Sequence, residues 1–140
     1  MRHLVREAGL AGKIKVDSAG TGSWHVGEER DRRARAVASR RGMPMTGEAR
    51  QFSREDFDRF DLVLALDEDN QRDLRRLAGS DEARAKIRLL RSFEPGVAPG
   101  SEVPDPYYGG PEGFERVFDI CLDACRGLLD YLRTTYKLEP

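Results

Sequence analysis

Apolar residues at Phe114, Val117, Phe118, Cys121, Leu122, Cys125, Leu128, Leu129 and Leu132 recur every three or four positions, the stripe that an amphipathic helix turns toward a core. Leu62-Val63-Leu64-Ala65-Leu66 is instead a continuous apolar run, the pattern of a strand covered on both faces. Leu4 and Leu10, with Gly9 and Gly12 as stop signals, predict a helix from Met1 to about Leu10 that has no N-cap. Ile14-Lys15-Val16-Asp17 predicts a short strand, and Ile87-Arg88-Leu89-Leu90 another. Asp31 can cap a helix that runs to about Arg41 and stops at Gly42. Ser53-Arg54-Glu55-Asp56 has the form of a capping box and predicts a short helix through Phe60. Asp67 caps a further helix to about Leu77, and residues 81–86 form one more. Helices alternating with strands predict an α/β fold with a mainly parallel sheet. Sites on such sheets lie beyond the carboxyl ends of the strands.

Composition narrows the class. The chain has 140 residues, which fits one domain over 1–140 large enough to bury its own core. Charged residues make up 35% and mean hydropathy is −0.64, as in a soluble protein, while 39% hydrophobic content is too much for disorder. Net charge is −1 and no block of lysine and arginine stands apart from acids, which argues against a dedicated nucleic-acid protein. Cys121 and Cys125 sit four apart on the apolar stripe of the last helix; they suit a reduced compartment and form neither a disulfide framework nor a zinc site. There is no 18-residue apolar run and no signal-peptide core at the N-terminus. The expected location is the cytoplasm, with no membrane partner.

Three loops fall at the expected strand ends: the stretch from Ser18 through Gly20-Thr21-Gly22-Ser23-Trp24-His25-Val26-Gly27, the residue Asp67, and Asp105-Pro106-Tyr107-Tyr108-Gly109. Proline fixes its own φ and pushes the preceding residue into an extended conformation, so Asp105 has little backbone freedom. Two readings stand side by side for it. It is an ordinary polar turn residue, or a preorganised carboxylate whose pKa the neighbouring rings raise, fit to act as a general acid.

Taken in order, Asp17-Ser18-Ala19-Gly20-Thr21, Trp24-His25-Val26-Gly27, Ala49-Arg50-Gln51, Phe60-Asp61, Asp67-Glu68-Asp69-Asn70 and Asp105-Pro106-Tyr107-Tyr108-Gly109 resemble the low-molecular-weight protein tyrosine phosphatase family. The resemblance implies a three-layer sandwich around a four-stranded, mainly parallel sheet. It also implies a phosphate loop, Cys-x5-Arg-Ser, whose backbone N–H groups cradle the phosphate at a helix N-terminus. That motif is absent from these residues: six beyond Cys121 is Gly127, and six beyond Cys125 is Tyr131. Both cysteines read as core residues rather than nucleophiles. The chain is therefore expected to be N-terminally incomplete, lacking the first strand, the loop and the start of the next helix. Each fully buried aliphatic side chain contributes roughly 1.5–3 kcal/mol, so a core strand lost with four or five of them costs on the order of 10 kcal/mol. A working protein with an upstream segment is the expectation, and the 140 residues by themselves are expected to be inactive.

The remaining roles follow from the resemblance. Asp105 corresponds to the acid that protonates the leaving phenolate and then activates water. Tyr107 and Tyr108 correspond to one aromatic wall of the substrate cleft, and Trp24 to the opposite wall, with His25 as a neighbour that shades substrate preference. Ser18 corresponds to a serine that keeps the phosphate loop in shape, or it caps its own backbone. Asp67 is a supporting residue, or simply a helix cap. Gly47 stands where many members carry histidine, and Glu28-Glu29-Arg30-Asp31 replaces an approach that usually contains proline.

The expected activity is hydrolysis of phosphotyrosine through a phosphocysteine intermediate, with no metal and no cofactor. The expected partners are phosphotyrosine-bearing proteins and a cognate tyrosine kinase, with no nucleic acid. The alternatives are a non-catalytic, phosphatase-like binding protein and an arsenate reductase-like relative, the latter disfavoured because the region around residues 62–69 has no relay cysteine. A phosphoarginine substrate is also conceivable, though paired tyrosines suit a flat aromatic ring better.

Overall fold

The computed structural model describes residues 1–20, 32–43, 50–104 and 112–140. Within them the order is α1 (Arg2–Glu7), α2 (Arg32–Arg40), α3 (Asp56–Arg59), β1 (Val63–Ala65), α4 (Glu68–Leu77), α5 (Asp81–Ala85), β2 (Ile87–Leu89), a 3-10 turn (Leu90–Phe93) and α6 (Gly113–Tyr136). β1 and β2 pair in parallel, with Val63 opposite Ile87, Leu64 opposite Arg88 and Ala65 opposite Leu89.

Side chains alternate across a strand, and here the alternation builds three layers. Val63, Ala65 and Ile87 face one side, in a core with Phe57 of α3, Leu74 of α4 and Ala78. Leu62 and Leu64 face the other side and pack on Leu90, Val103, Ala124 and Leu128, the last two from α6. Arg88 lies on that second face too, with its guanidinium 4.5 Å from the centre of the Phe93 ring and 5.6 Å from that of Tyr131. A planar cation stacked on rings keeps a charged residue acceptable at a half-buried position.

α6 collects the remaining elements. Leu129 meets Leu4, Val5 and Leu10 from the α1 region, while Arg40 and Arg41 at the end of α2 pair with Glu115 and Asp119 of α6 at 2.8 and 2.6 Å. Beyond α6 the chain turns through Lys137 in the left-handed region, Leu138 rejoins the α1 core, and the Lys13 ammonium donates to the Glu139 carbonyl.

Two expectations need correction. Residues 14–17 form no strand, and the sheet among the described residues holds two strands rather than three. A strand exists only with a ladder partner, and the backbone bonds of this segment go elsewhere. The Ile14 N–H donates to the Leu10 carbonyl, and the Val16 carbonyl accepts from Arg2 Nε at 3.1 Å. Ile14 and Val16 still pack on the α1–α6 core, so the segment is partly buried without a ladder. Leu90 likewise leaves β2 and opens the 3-10 turn, which brings Phe93 against α6.

That close approach sets a sharp requirement at Gly127. A β-carbon there would run into the Phe93 backbone carbonyl. Glycine inside a helix ordinarily costs about 1 kcal/mol relative to alanine, so Gly127→Ala would stabilise a free helix. In this fold the collision with backbone reverses the sign. Gly127→Ala is expected to lose about 1–3 kcal/mol, seen as a lower midpoint in urea unfolding.

Candidate active site

Asp67 follows the last apolar residue of the β1 run, at the carboxyl end of the strand. Its carboxylate accepts the Asn70 N–H at 2.8 Å, and so caps α4, whose first turn also carries Glu68 and Asp69. The geometry supports the cap reading directly, and acids near a helix N-terminus also suit its dipole. Leu66 beside it is 44% exposed, so the apolar run is not covered along its whole length as the sequence suggested.

Ser18 lies in the segment between α1 and Gly20 and is exposed. Its N–H donates to its neighbour's carboxylate, Asp17 Oδ1, at 2.8 Å. Two residues on, Gly20 makes an isolated parallel bridge with Gln51, in which Gly20 N–H donates to the Arg50 carbonyl and Phe52 N–H donates to the Gly20 carbonyl, both at 2.8 Å. The side chain of Arg50 reinforces the same junction. It reaches Asp17 Oδ2 at 3.1 Å, and with its two terminal nitrogens grips Asp56 at 2.9 and 3.3 Å.

Asp56 is wholly buried, the only buried charged residue among those described. It accepts from the Ser53 N–H at 2.9 Å and from the Ser53 hydroxyl at 3.3 Å. This is half of the expected capping box: the acid reaches back to the serine, but the serine hydroxyl gives its bond to the acid rather than capping α3. Burial pulls the Asp56 carboxyl upward, and the Arg50 guanidinium and the Ser53 N–H outweigh it, leaving the group below the ordinary carboxylate range. Arg50 is correspondingly raised, first by its bond to Asp56. Its Nε–H is buried with no partner among the described residues.

Sequence reasoning missed this cluster, because its members stand at positions 17, 50 and 56 and nothing local announces that Asp56 is buried. The usable signal was the acid at the last position of the Ser-x-x-Asp pattern, six residues behind Arg50. Asp105, Trp24, His25, Tyr107 and Tyr108 lie outside the described residues, as does Gly47. Cys121 and Cys125 are half-buried thiols against the α6 core. Burial pushes Cys121 up to about 11, with Cys125 adding to it, and burial raises Cys125 too. Such thiols stay protonated at neutral pH and make poor nucleophiles, in line with a core role. Among the described residues no group of three or more His, Cys, Asp or Glu side chains could hold a metal ion, and no helix is long and apolar enough to cross a membrane.

Helices packed on both faces of a parallel strand pair define an α/β protein. The family described as low molecular weight phosphotyrosine protein phosphatase matches residues 1–138, and the chain belongs to that family. A low molecular weight protein-tyrosine-phosphatase from Streptomyces coelicolor is 49% identical over 133 residues, covering 94% of this chain and 81% of the relative. The human low molecular weight phosphotyrosine protein phosphatase is 38% identical over 130 residues, covering 92% and 81%. Among solved structures, a protein tyrosine phosphatase from Entamoeba histolytica with Hepes in the active site superposes with a TM-score of 0.87 at 36% identity, over 98% of this chain and 86% of that one. YfkJ from Bacillus subtilis also gives 0.87 at 36% identity, over 96% and 82%.

Proposed function

We propose that this chain forms most of a phosphatase that hydrolyses phosphotyrosine in proteins, with Asp105 as the general acid and base. The observation that carries the reading is the family match over residues 1–138, and the Asp105-Pro106 pair in the sequence supplies the acid that such chemistry needs. A cysteine thiolate attacks phosphorus as the P–O bond to the tyrosine ring breaks. Protonated Asp105 gives its proton to the departing phenolate, so a neutral tyrosine leaves. The resulting Asp105 carboxylate then takes a proton from water, whose oxygen attacks the phosphocysteine and releases inorganic phosphate and the thiolate. General acid–base assistance of this kind contributes about 10²–10⁴-fold, and covalent capture divides the displacement into two easier steps.

Neither cysteine of the 140 residues fits the nucleophile's part, since both are protonated core thiols and neither is followed six positions later by arginine. The nucleophile and its phosphate-clamping arginine are therefore assigned to a Cys-x5-Arg segment outside these residues, and the 140-residue chain alone is expected to turn over no aryl phosphate. Trp24, His25, Tyr107 and Tyr108 are assigned to the walls of the substrate cleft, and Ser18 and Asp67 to its support.

The test is p-nitrophenyl phosphate hydrolysis by the 140-residue chain and by a form extended at its N-terminus with a Cys-x5-Arg segment. Activity confined to the extended form supports the assignment. Activity in the 140-residue chain overturns the assignment of the nucleophile, and inactivity of both favours a binding protein without catalysis.

A further inference from the structure

We propose that Arg50 is a positioning residue for the Ser18 loop, holding that loop in register by linking a buried acid to the loop backbone. The inference rests on the assignment of Ser18 to the site. Asp56 is the fixed end, wholly buried on α3 and tied to the Ser53 N–H at 2.9 Å. Arg50 spans from it to Asp17, at 2.9 Å on one side and 3.1 Å on the other. Asp17 in turn accepts the Ser18 N–H at 2.8 Å. The result is a run of polar links, a two-pronged bond from Arg50 to Asp56, an ion pair from Arg50 to Asp17 and the bond from the Ser18 N–H to Asp17, in which each link carries a charge.

Arg2 of α1 closes on the same carboxylate at 3.6 Å and donates to the Val16 carbonyl, so Asp17 is held from two elements. The loop needs such holding, because residues 14–17 have no ladder of their own and the Gly20–Gln51 bridge is isolated. The guanidinium sets two terminal nitrogens against Asp56 while one of them also reaches Asp17. A lysine ammonium is a compact point charge without that two-pronged grip and holds the pair of carboxylates less firmly. The arginine at this position thus acts through Ser18, and it touches no reacting atom in this reading.

Two substitutions test the link while keeping the buried acid charged and opposed: Asp17→Asn, which leaves the Arg50–Asp56 pair intact, and Arg50→Lys, which keeps the charge and removes the fork. Amide hydrogen exchange at Ser18 and Gly20, in the form extended with a Cys-x5-Arg segment, is the first readout. Each variant is expected to speed exchange there about fivefold, the scale of a partly exposed ion pair, with amides of α4 and α6 unchanged. Protection at Ser18 and Gly20 equal to wild type in Asp17→Asn overturns the link. Full protection in Arg50→Lys overturns the requirement for a fork.

Turnover in the form extended with a Cys-x5-Arg segment is the second readout. There Asp17→Asn is expected to lower kcat severalfold with little change in KM; loss in KM alone overturns a positioning role. Ser18→Ala in the same form separates the two ideas. If it leaves kcat/KM unchanged, the assignment of Ser18 to the site fails, while the exchange result still decides whether Arg50 holds the loop.

Discussion

Arg50→Met is expected to destabilise the fold by about 3–5 kcal/mol at neutral pH, because it strands a buried carboxylate without its partner. The lower end of that range is the better expectation, since Arg50 is itself 34% exposed and solvent screens part of the pair's attraction. Arg59, at 3.8 Å from Asp56 and largely exposed, is too distant to replace a two-pronged bond. The measurement is urea unfolding with an unchanged slope and a lower midpoint. Its pH dependence follows from the direction of the Asp56 shift. In the wild type the carboxyl is held below its ordinary value, so its contribution is fully present above an unfolded pKa of about 3.9 and is lost as pH falls through the lower folded value. In Arg50→Met burial is opposed only by the Ser53 bonds and the more distant Arg59, and the carboxyl moves up from its wild-type position. The penalty is then greatest at neutral pH and shrinks as the medium is acidified and Asp56 takes up a proton. The stability gap between the two proteins is expected to narrow toward pH 4. A gap that widens on acidification would show that Asp56 is not the source of the loss. The double variant Arg50→Met with Asp56→Leu removes the stranded charge and is expected to recover much of the stability. It will not recover all of it, because the Ser53 N–H loses its acceptor.

This cluster also marks the boundary of what the sequence discloses. α6 and α4 were legible because their signals are local: a nine-residue apolar stripe in one, and in the other a capping acid before a run with helical period. The two faces of β1 were legible from its unbroken apolar run, although Leu66 at its end is 44% exposed. Residues 14–17 show the opposite case. A strand was expected there, but a ladder depends on a partner far away in sequence, and no such partner pairs with residues 14–17 among the described residues, although Ile14 and Val16 pack on the core. The same reason hides Asp56. An acid in a helix-start pattern is normally exposed, and only the return of Arg50 from outside the helix makes its burial tolerable. Gly127 was legible in principle, since a glycine in the middle of a long helix demands an explanation, yet the explanation is the Phe93 carbonyl of a distant turn. The cap reading of Asp67 was legible, as the bond from the Asn70 N–H shows, whereas the Ser18 N–H bonds to the Asp17 carboxylate, a partner the sequence reading did not name. Asp105 was singled out by its place before Pro106 and beside two rings as well as by the family resemblance, and it lies, with the aromatic walls, outside the described residues.

Asp105→Asn carries the other large expectation, a fall in kcat of about 10²–10⁴ on phosphotyrosine peptide in the form that bears the Cys-x5-Arg segment. Asparagine keeps the size and the proline-restricted backbone of the Asp105-Pro106 pair, so the loss reports the proton and not the turn. The size of the effect depends on the leaving group, which makes the experiment discriminating. A phenolate with a high pKa needs its proton in the transition state, whereas p-nitrophenolate leaves as the anion with little help. The variant is therefore expected to lose far more on phosphotyrosine than on p-nitrophenyl phosphate during phosphorylation of the enzyme. Because the proposal needs Asp105 protonated for the first step, the alkaline limb of kcat/KM expected for wild type on phosphotyrosine should disappear in the variant. Equal losses on both substrates, with that limb retained, would assign the acid elsewhere and return Asp105 to the ordinary turn that its sequence also allows. A loss confined to KM would make it a binding residue. Only the leaving-group-dependent fall in kcat fits a carboxylic acid that hands its proton to the departing tyrosine.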